Sequence, residues 1–282
     1  MYNKLDNISC EEIIIKYNSG TNRNILSKEY KVSHKTISNI IDRNGRERLK
    51  GNQKYSVNED YFKLIDCEEK AYWLGFMYAD GYIIEKNNSL YAGILIKDKE
   101  HLENFKVCIE SNNPIKNATT PNSYTINISN KKFCENLIIQ GCVPRKTFLI
   151  KFPDLRNDLK RHFIRGFFDG DGSITCTDKT LQITICCASN DFISELVNEL
   201  YSNIELRRIK KIYKRKDGLL LYVNSSGEDI SLISKYFYDN SKIYLNRKKE
   251  IFDNVKENLK ELKSKVWKHN WEIKKKNMLI HP

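Results

Sequence analysis

Apolar residues follow two periods along this chain, one helical and one strand-like, and the order in which they alternate is repeated. Between residues 9 and 45 the spacing predicts three short helices. Ser9 and Glu12 form a capping box ahead of Ile13, Ile14 and Ile15, and Asn18-Ser19-Gly20 breaks the first helix. A second helix spans about 22–30. After a turn at Lys31-Val32, Ser33 caps a third helix that places Ile37, Ile40 and Ile41 inward and stops at Gly45. From Cys67 the pattern predicts a helix, strands near 82–86 and 90–97, a helix near 99–110, strands near 114–119 and 123–128, and a helix at 130–140. The segment GCVPRKTFLIKFP, residues 141–153, then crosses to a second series: helix 159–170, strands 173–178 and 181–187, helix 190–203, strands 206–216 and 219–224, and helix 228–239. Each series reads α-β-β-α-β-β-α. Beyond 240 a mixed-charge helix opens with Arg247, Lys248 and Lys249 and runs to about Lys268; the end of the chain is a basic helix or a frayed tail.

The first helix of each series carries the same short text, WLGFMYADG at 73–81 and IRGFFDGDG at 164–172, displaced by 91 residues. In each, Gly after Asp ends the helix. Gly75 and Ala79 share a helix face, as do Gly166 and Gly170. Two faces of small residues can meet almost backbone to backbone, which would set Asp80 beside Asp171. A carboxylate opposes the partial negative charge of a helix C-terminus, and two carboxylates repel. A hard divalent cation removes both objections. An isolated Asp-Gly is an ordinary helix stop; two copies with matching small faces point to a site.

These residues resemble the signature of the LAGLIDADG homing endonuclease family, and the resemblance covers about 67–255. It implies two pseudo-symmetric halves joined along the motif helices. It also implies Mg²⁺, with Mn²⁺ as a substitute, held by Asp80 and Asp171 and by the carbonyls of Ala79 and Gly170. Tyr78 departs from the signature where Asp169 keeps an acid. Phosphodiester hydrolysis calls for a basic group near the metals, and Lys97, at the end of a predicted strand, is the candidate in one half.

A formal charge of +12 and a pI near 9.1 suit a polyanion. The eight Cys form no C-x-x-C pair, no apolar run approaches a membrane span, and no signal-peptide core opens the chain, so a soluble, intracellular (cytoplasmic) protein is expected. On the second-half strands Ser173, Thr175 and Thr177, and Gln182 and Thr184, alternate with apolar residues. In 207–216 alternate positions hold Arg208, Lys210, Lys214 and Lys216. Tyr82, Lys86, Lys116 and Asn127 take the comparable side of the first half. Beside a metal site these polar faces read as double-stranded-DNA-facing sheets.

The N-terminal helices resemble a helix-turn-helix presenting His34, Lys35, Ser38 and Asn39, the alternative being a packing or dimerisation module. Residues 43–54, with Arg46 and Arg48, carry a net +4 and serve as a DNA arm or a solvated tether. The expected organisation is α+β: a helix-turn-helix module at 1–45, a basic linker at 46–66, halves at 67–150 and 151–255, and a basic end at 256–282. The expected activity is that of a monomeric, metal-dependent, site-specific DNA endonuclease. The alternative is an intron maturase that holds RNA, or a regulator that binds DNA without cutting.

Overall fold

The computed structural model describes residues 7–19, 21–43, 55–86, 89–176, 181–207 and 212–254. The chain divides into two compact units, Met1–Ser56 and Val57–Pro282.

In the first unit α1 (Asn7–Asn18), α2 (Arg23–Glu29) and α3 (His34–Arg43) pack around Ile13, Leu26, Ile37 and Ile41. Asn22 caps α2 by accepting from the Ile25 N–H at 2.9 Å, and the Ser33 hydroxyl accepts from the Thr36 N–H at 3.1 Å at the start of α3. Because α1 starts at Asn7, Ser9 lies within its first turn rather than at its cap, and Glu12 instead accepts from the Tyr30 hydroxyl.

The second unit is α+β, built as two α-β-β-α-β-β-α halves. The first holds α4 (Glu68–Ala79), β1 (Gly81–Lys86), β2 (Ser89–Ile96), α5 (Lys99–Cys108), β3 (Lys116–Asn117), β4 (Tyr124–Ile128) and α6 (Lys131–Ile139). A 3₁₀ turn at Lys146–Phe148 leads on to α7 (Asn157–Asp171), β5 (Gly172–Cys176), β6 (Leu181–Cys187), α8 (Asn190–Asn203), β7 (Ile212–Lys214), β8 (Leu220–Asn224) and α9 (Gly227–Tyr238), followed by α10 (Asn246–Asp253). The sheets are antiparallel and share one order, β1-β2-β4-β3 and β5-β6-β8-β7. Polar caps start the outer helices: Asn130 for α6, Ser189 for α8 and Ser226 for α9 each accept from a backbone N–H.

One continuous core runs through both halves. It takes in Tyr61, Phe62 and Ile65, which the sequence reading had placed in the 46–66 linker. Asn58 N–H donates to the Ile109 carbonyl at 2.9 Å and the Tyr61 hydroxyl to Glu69 at 2.8 Å, so 57–66 is part of the first half. Burying three large apolar side chains there outweighs any extended, solvated course. The linker residues 46–54 and the tail 256–282 lie outside the described residues.

Registers assign the sheet faces. In the first sheet Gly81, Ile83, Ala92, Ile94, Ile126 and Ile128 turn toward the helices. Tyr82, Lys86, Lys116, Thr125 and Asn127 share the opposite, outer face, with Tyr82 paired to Gly93 and Gly93 to Asn127. In the second sheet Ile183, Ile185 and Cys187 face the helices, while Ser173, Thr175, Gln182 and Thr184 lie outward, paired Ser173 with Thr184 and Thr175 with Gln182.

Candidate functional site

The site grows from one contact, that of α4 with α7. A Cβ on Gly75 would lie 2.0 Å from the carbonyl oxygen of Phe163, and one on Gly166 would lie 2.0 Å from that of Tyr72. No side chain larger than hydrogen fits at either place. Lower on the same faces, a Cβ on Gly170 would lie 2.3 Å from the Ala79 methyl and 3.4 Å from Asp80 Oδ2. The four small residues therefore bring the two helix ends together.

Asp80 is the C-cap residue of α4 and Asp171 the last residue of α7. Loss of solvation, and then the neighbouring Asp171 charge, push the Asp80 carboxyl from its ordinary 3.8 up to about 6, against the pull of Lys248, Lys146 and Arg247. Asp171 keeps more of its surface in water; desolvation raises it too, opposed by Lys146 and Lys248.

Lys146 and Lys248 were not singled out from the sequence. Each enters beneath one helix end. Lys146 Nζ donates to the carbonyl of Ala79 at 2.6 Å and to that of Tyr78. Lys248, 3% exposed, has the carbonyls of Phe168 and Asp169 at 2.7 Å, Gly172 at 2.5 Å and Gly170 at 3.3 Å around its Nζ. Both ammonium groups sit among the last carbonyls of a helix, where the helix dipole is negative. Burial lowers both, Lys248 to about 8.

The residue two before each Asp ties down the segment that supplies the lysine. The Tyr78 hydroxyl donates to the Gln140 carbonyl at 2.7 Å, against Gly141, whose φ of +91° and lack of a Cβ admit the phenol. Asp169, fully buried, accepts from the Tyr72 hydroxyl at 2.9 Å, from that of Tyr238 at 2.7 Å, and from the Leu245 N–H at 2.8 Å at the cap of α10, the helix bearing Lys248. Arg165, also fully buried, joins the halves by donating to Glu68 at 2.7 Å and to the carbonyls of Phe237 and Ile243.

As donors for a divalent cation the residues fit in chemistry. Two partly desolvated carboxylates stand at the junction of two helix ends, and carboxylate oxygens suit a hard ion. Among the described residues no group of three or more His, Cys, Asp or Glu gathers for a metal, so further ligands would be carbonyls, water or phosphate oxygens. The Ala79 and Gly170 carbonyls already accept from Lys146 and Lys248, and an ion there would share them with the ammonium groups.

Other sequence-derived candidates divide. Lys97 lies exposed just past β2, and the cations that act on Asp80 and Asp171 are Lys146, Lys248 and Arg247. Tyr82, Lys86, Lys116 and Asn127 come together on one face, as do Ser173, Thr175, Gln182 and Thr184. Lys214 does not join them: it pairs with Leu220, which pairs with the inward Cys187, so Lys214 is on the helix side of its sheet, at the exposed edge. The outward residue of that strand is Tyr213, paired with Leu221. Lys216 follows in the turn after β7. Thr177, Arg208, Lys210, Arg46 and Arg48 lie outside the described residues. In the first unit His34, Lys35 and Asn39 are exposed on α3, whereas Ser38 is half-buried and accepts from Arg23 at 3.2 Å.

Residues 158–280 match the family described as LAGLIDADG-like domain. A probable cell division protein WhiA of Clostridium botulinum is 25% identical over 161 residues, covering 54% of this chain and 49% of the relative. One from Clostridium beijerinckii is 25% identical over 148 residues, covering 50% and 45%. The chain thus spans about half the length of the curated relatives it matches. Among solved structures it is similar to the LAGLIDADG meganuclease I-AabMI bound to uncleaved DNA (14% identity, 69% of this chain, 91% of that one, TM-score 0.49) and to meganuclease I-SmaMI bound to uncleavable DNA (16%, 71%, 90%, 0.48). Residues 158–280 thus match the LAGLIDADG-like domain, the family whose signature both motif helices resemble.

Proposed function

We propose that the protein is a site-specific endonuclease for double-stranded DNA that depends on Mg²⁺ or Mn²⁺. The observation that carries this reading is the pair of acids, Asp80 and Asp171, held at two helix ends that touch backbone to backbone, with a lysine under each, Lys146 half-buried and Lys248 buried. Such pairing costs stability in the absence of a ligand and suits cation binding. Asp80 and Asp171 would hold the metal, with the Ala79 and Gly170 carbonyls as further oxygens. A divalent cation bound there supplies charge relief to the phosphate and an activated water.

This chain's own residues complete the site. Lys146 and Lys248 place positive charge beside the acids, where it opposes the charge developing on a phosphate. The outer sheet faces offer hydroxyl, amide and ammonium groups to a major groove, with Lys86 and Lys116 for phosphates. Since the halves differ in sequence, the target is an asymmetric duplex read by one chain. His34, Lys35 and Asn39 on α3 would extend the contact if the first unit acts as a helix-turn-helix.

The WhiA relatives carry a name for cell division and none for DNA cleavage, which keeps a second reading in view: the same fold binding DNA without cutting it. Incubation with a random-sequence duplex library, with and without Mg²⁺, separates the two. Discrete cleavage that needs both the metal and Asp80 supports the endonuclease. Retention of a defined sequence with no cleavage in Mg²⁺ or Mn²⁺ supports the regulator.

A further inference from the structure

The middle of the first sheet's outer face holds a built arrangement. Tyr82 on β1, Gly93 on β2 and Asn127 on β4 lie in one cross-strand row. A Cβ on Gly93 would lie 2.5 Å from the Tyr82 hydroxyl oxygen, so only glycine lets the phenol lie flat across β2. Reaching over it, the Tyr82 hydroxyl donates to Asn127 Oδ1 and stands 3.3 Å from the Thr125 hydroxyl. The corresponding row of the second sheet, Ser173, Thr184 and Val223, has no such bridge.

We propose that Tyr82 is a specificity-determining residue that commits the Asn127 amide to reading guanine rather than adenine in the major groove. An asparagine reads adenine with both ends of its amide, accepting from N6 and donating to N7. Here the accepting end is engaged by Tyr82, which leaves the amide N–H groups for a base edge. Guanine presents two acceptors, O6 and N7, to such a donor, whereas adenine sets its own N6 donor against it. This inference rests on the DNA-binding reading above and assigns one base pair within it.

The test is binding-site selection from a randomised duplex library in Ca²⁺ or EDTA, using full-length wild type, Asn127→Ala and Tyr82→Phe. Asn127→Ala should erase preference at a single base pair, where wild type selects guanine, and leave the others. Tyr82→Phe keeps the ring over Gly93 but frees Oδ1, and should shift that same base pair from guanine toward adenine by roughly tenfold or more. A wild-type site that Tyr82→Phe leaves unchanged, or a position lost in Asn127→Ala at which wild type already prefers adenine, overturns the assignment while the DNA-binding reading stands. Failure of wild type to select any sequence overturns both.

Discussion

Replacing Asp80 by Asn should make the metal-free protein more stable while abolishing cleavage. The Asp80 carboxyl moves from 3.8 to about 6 on folding because burial and the Asp171 charge penalise its ionised form. Each unit of pKa is worth about 1.4 kcal/mol, so ionising it in the folded state costs roughly 3 kcal/mol. The side chain's remaining contact with water reduces that to about 2 kcal/mol. At about 2–4 °C per kcal/mol for a unit of this size, Asp80→Asn should melt about 4–8 °C above wild type in EDTA at pH 8. The sign of the pH dependence follows from linkage. A folded pKa above the unfolded one gives stability that is fully present below about 3.8 and lost as pH rises through about 6. The gap between variant and wild type should accordingly be complete above about pH 7 and close by about pH 4. Thermal melts in EDTA across this range, beside cleavage assays in Mg²⁺, are the measurement. A variant that melts below wild type at pH 8, or a gap as wide at pH 4.5 as at pH 8, would refute the reasoning.

Other outcomes follow from the same geometry. Gly75→Ala and Gly166→Ala each drive a methyl into a facing carbonyl and should cost about 3 kcal/mol in urea unfolding, with cleavage lost even where the fold survives. Lys248→Met strips the charged donor from carbonyls at the end of α7 and should destabilise by about 2–3 kcal/mol; unchanged stability would show that water replaces it. Removing residues 1–54 should leave the second unit folded and cutting, with weaker binding in titrations against target DNA; a folded but inactive remainder would give the first unit a catalytic role. Lys86→Ala with Lys116→Ala should lower the slope of log affinity against log salt by about 0.9 for each phosphate contact released.

The paired motif helices were legible because two independent signals coincide in them, glycine spacing and an Asp-Gly stop, and because the text occurs twice. Lys146 and Lys248 were not. They sit in segments that follow the last helix of each half, Lys248 as one of three consecutive cations opening a mixed-charge helix, and the 91-residue displacement that aligns Asp80 with Asp171 does not align the two lysines. What they share is an Arg immediately before each lysine, Arg145-Lys146 and Arg247-Lys248, and a short helical turn at that point. Lys214 shows a different limit. Alternation divides a strand into two sides, but only the partner register, Lys214 opposite Leu220, says which side meets the helices. Tyr78 and Asp169 stand where the two copies of the signature differ, and their role in pinning the lysine segments depends on contacts 62 and 69 or more residues away that no local pattern encodes.

The bonds across the motif helices also bear on how such a chain could change in descent. Arg165 finds its counter-charge in Glu68, and Asp169 finds one of its donors in Tyr72, each time in the opposite half. At the equivalent places the second half itself carries Leu159 and Phe163. Two copies of that half, meeting as a symmetric pair, would enclose a guanidinium without an acid and leave a buried carboxylate short of a hydroxyl, at a cost of several kcal/mol per copy. The duplication has thereby become a ratchet: the halves can go on diverging, but the second cannot return to being its own partner.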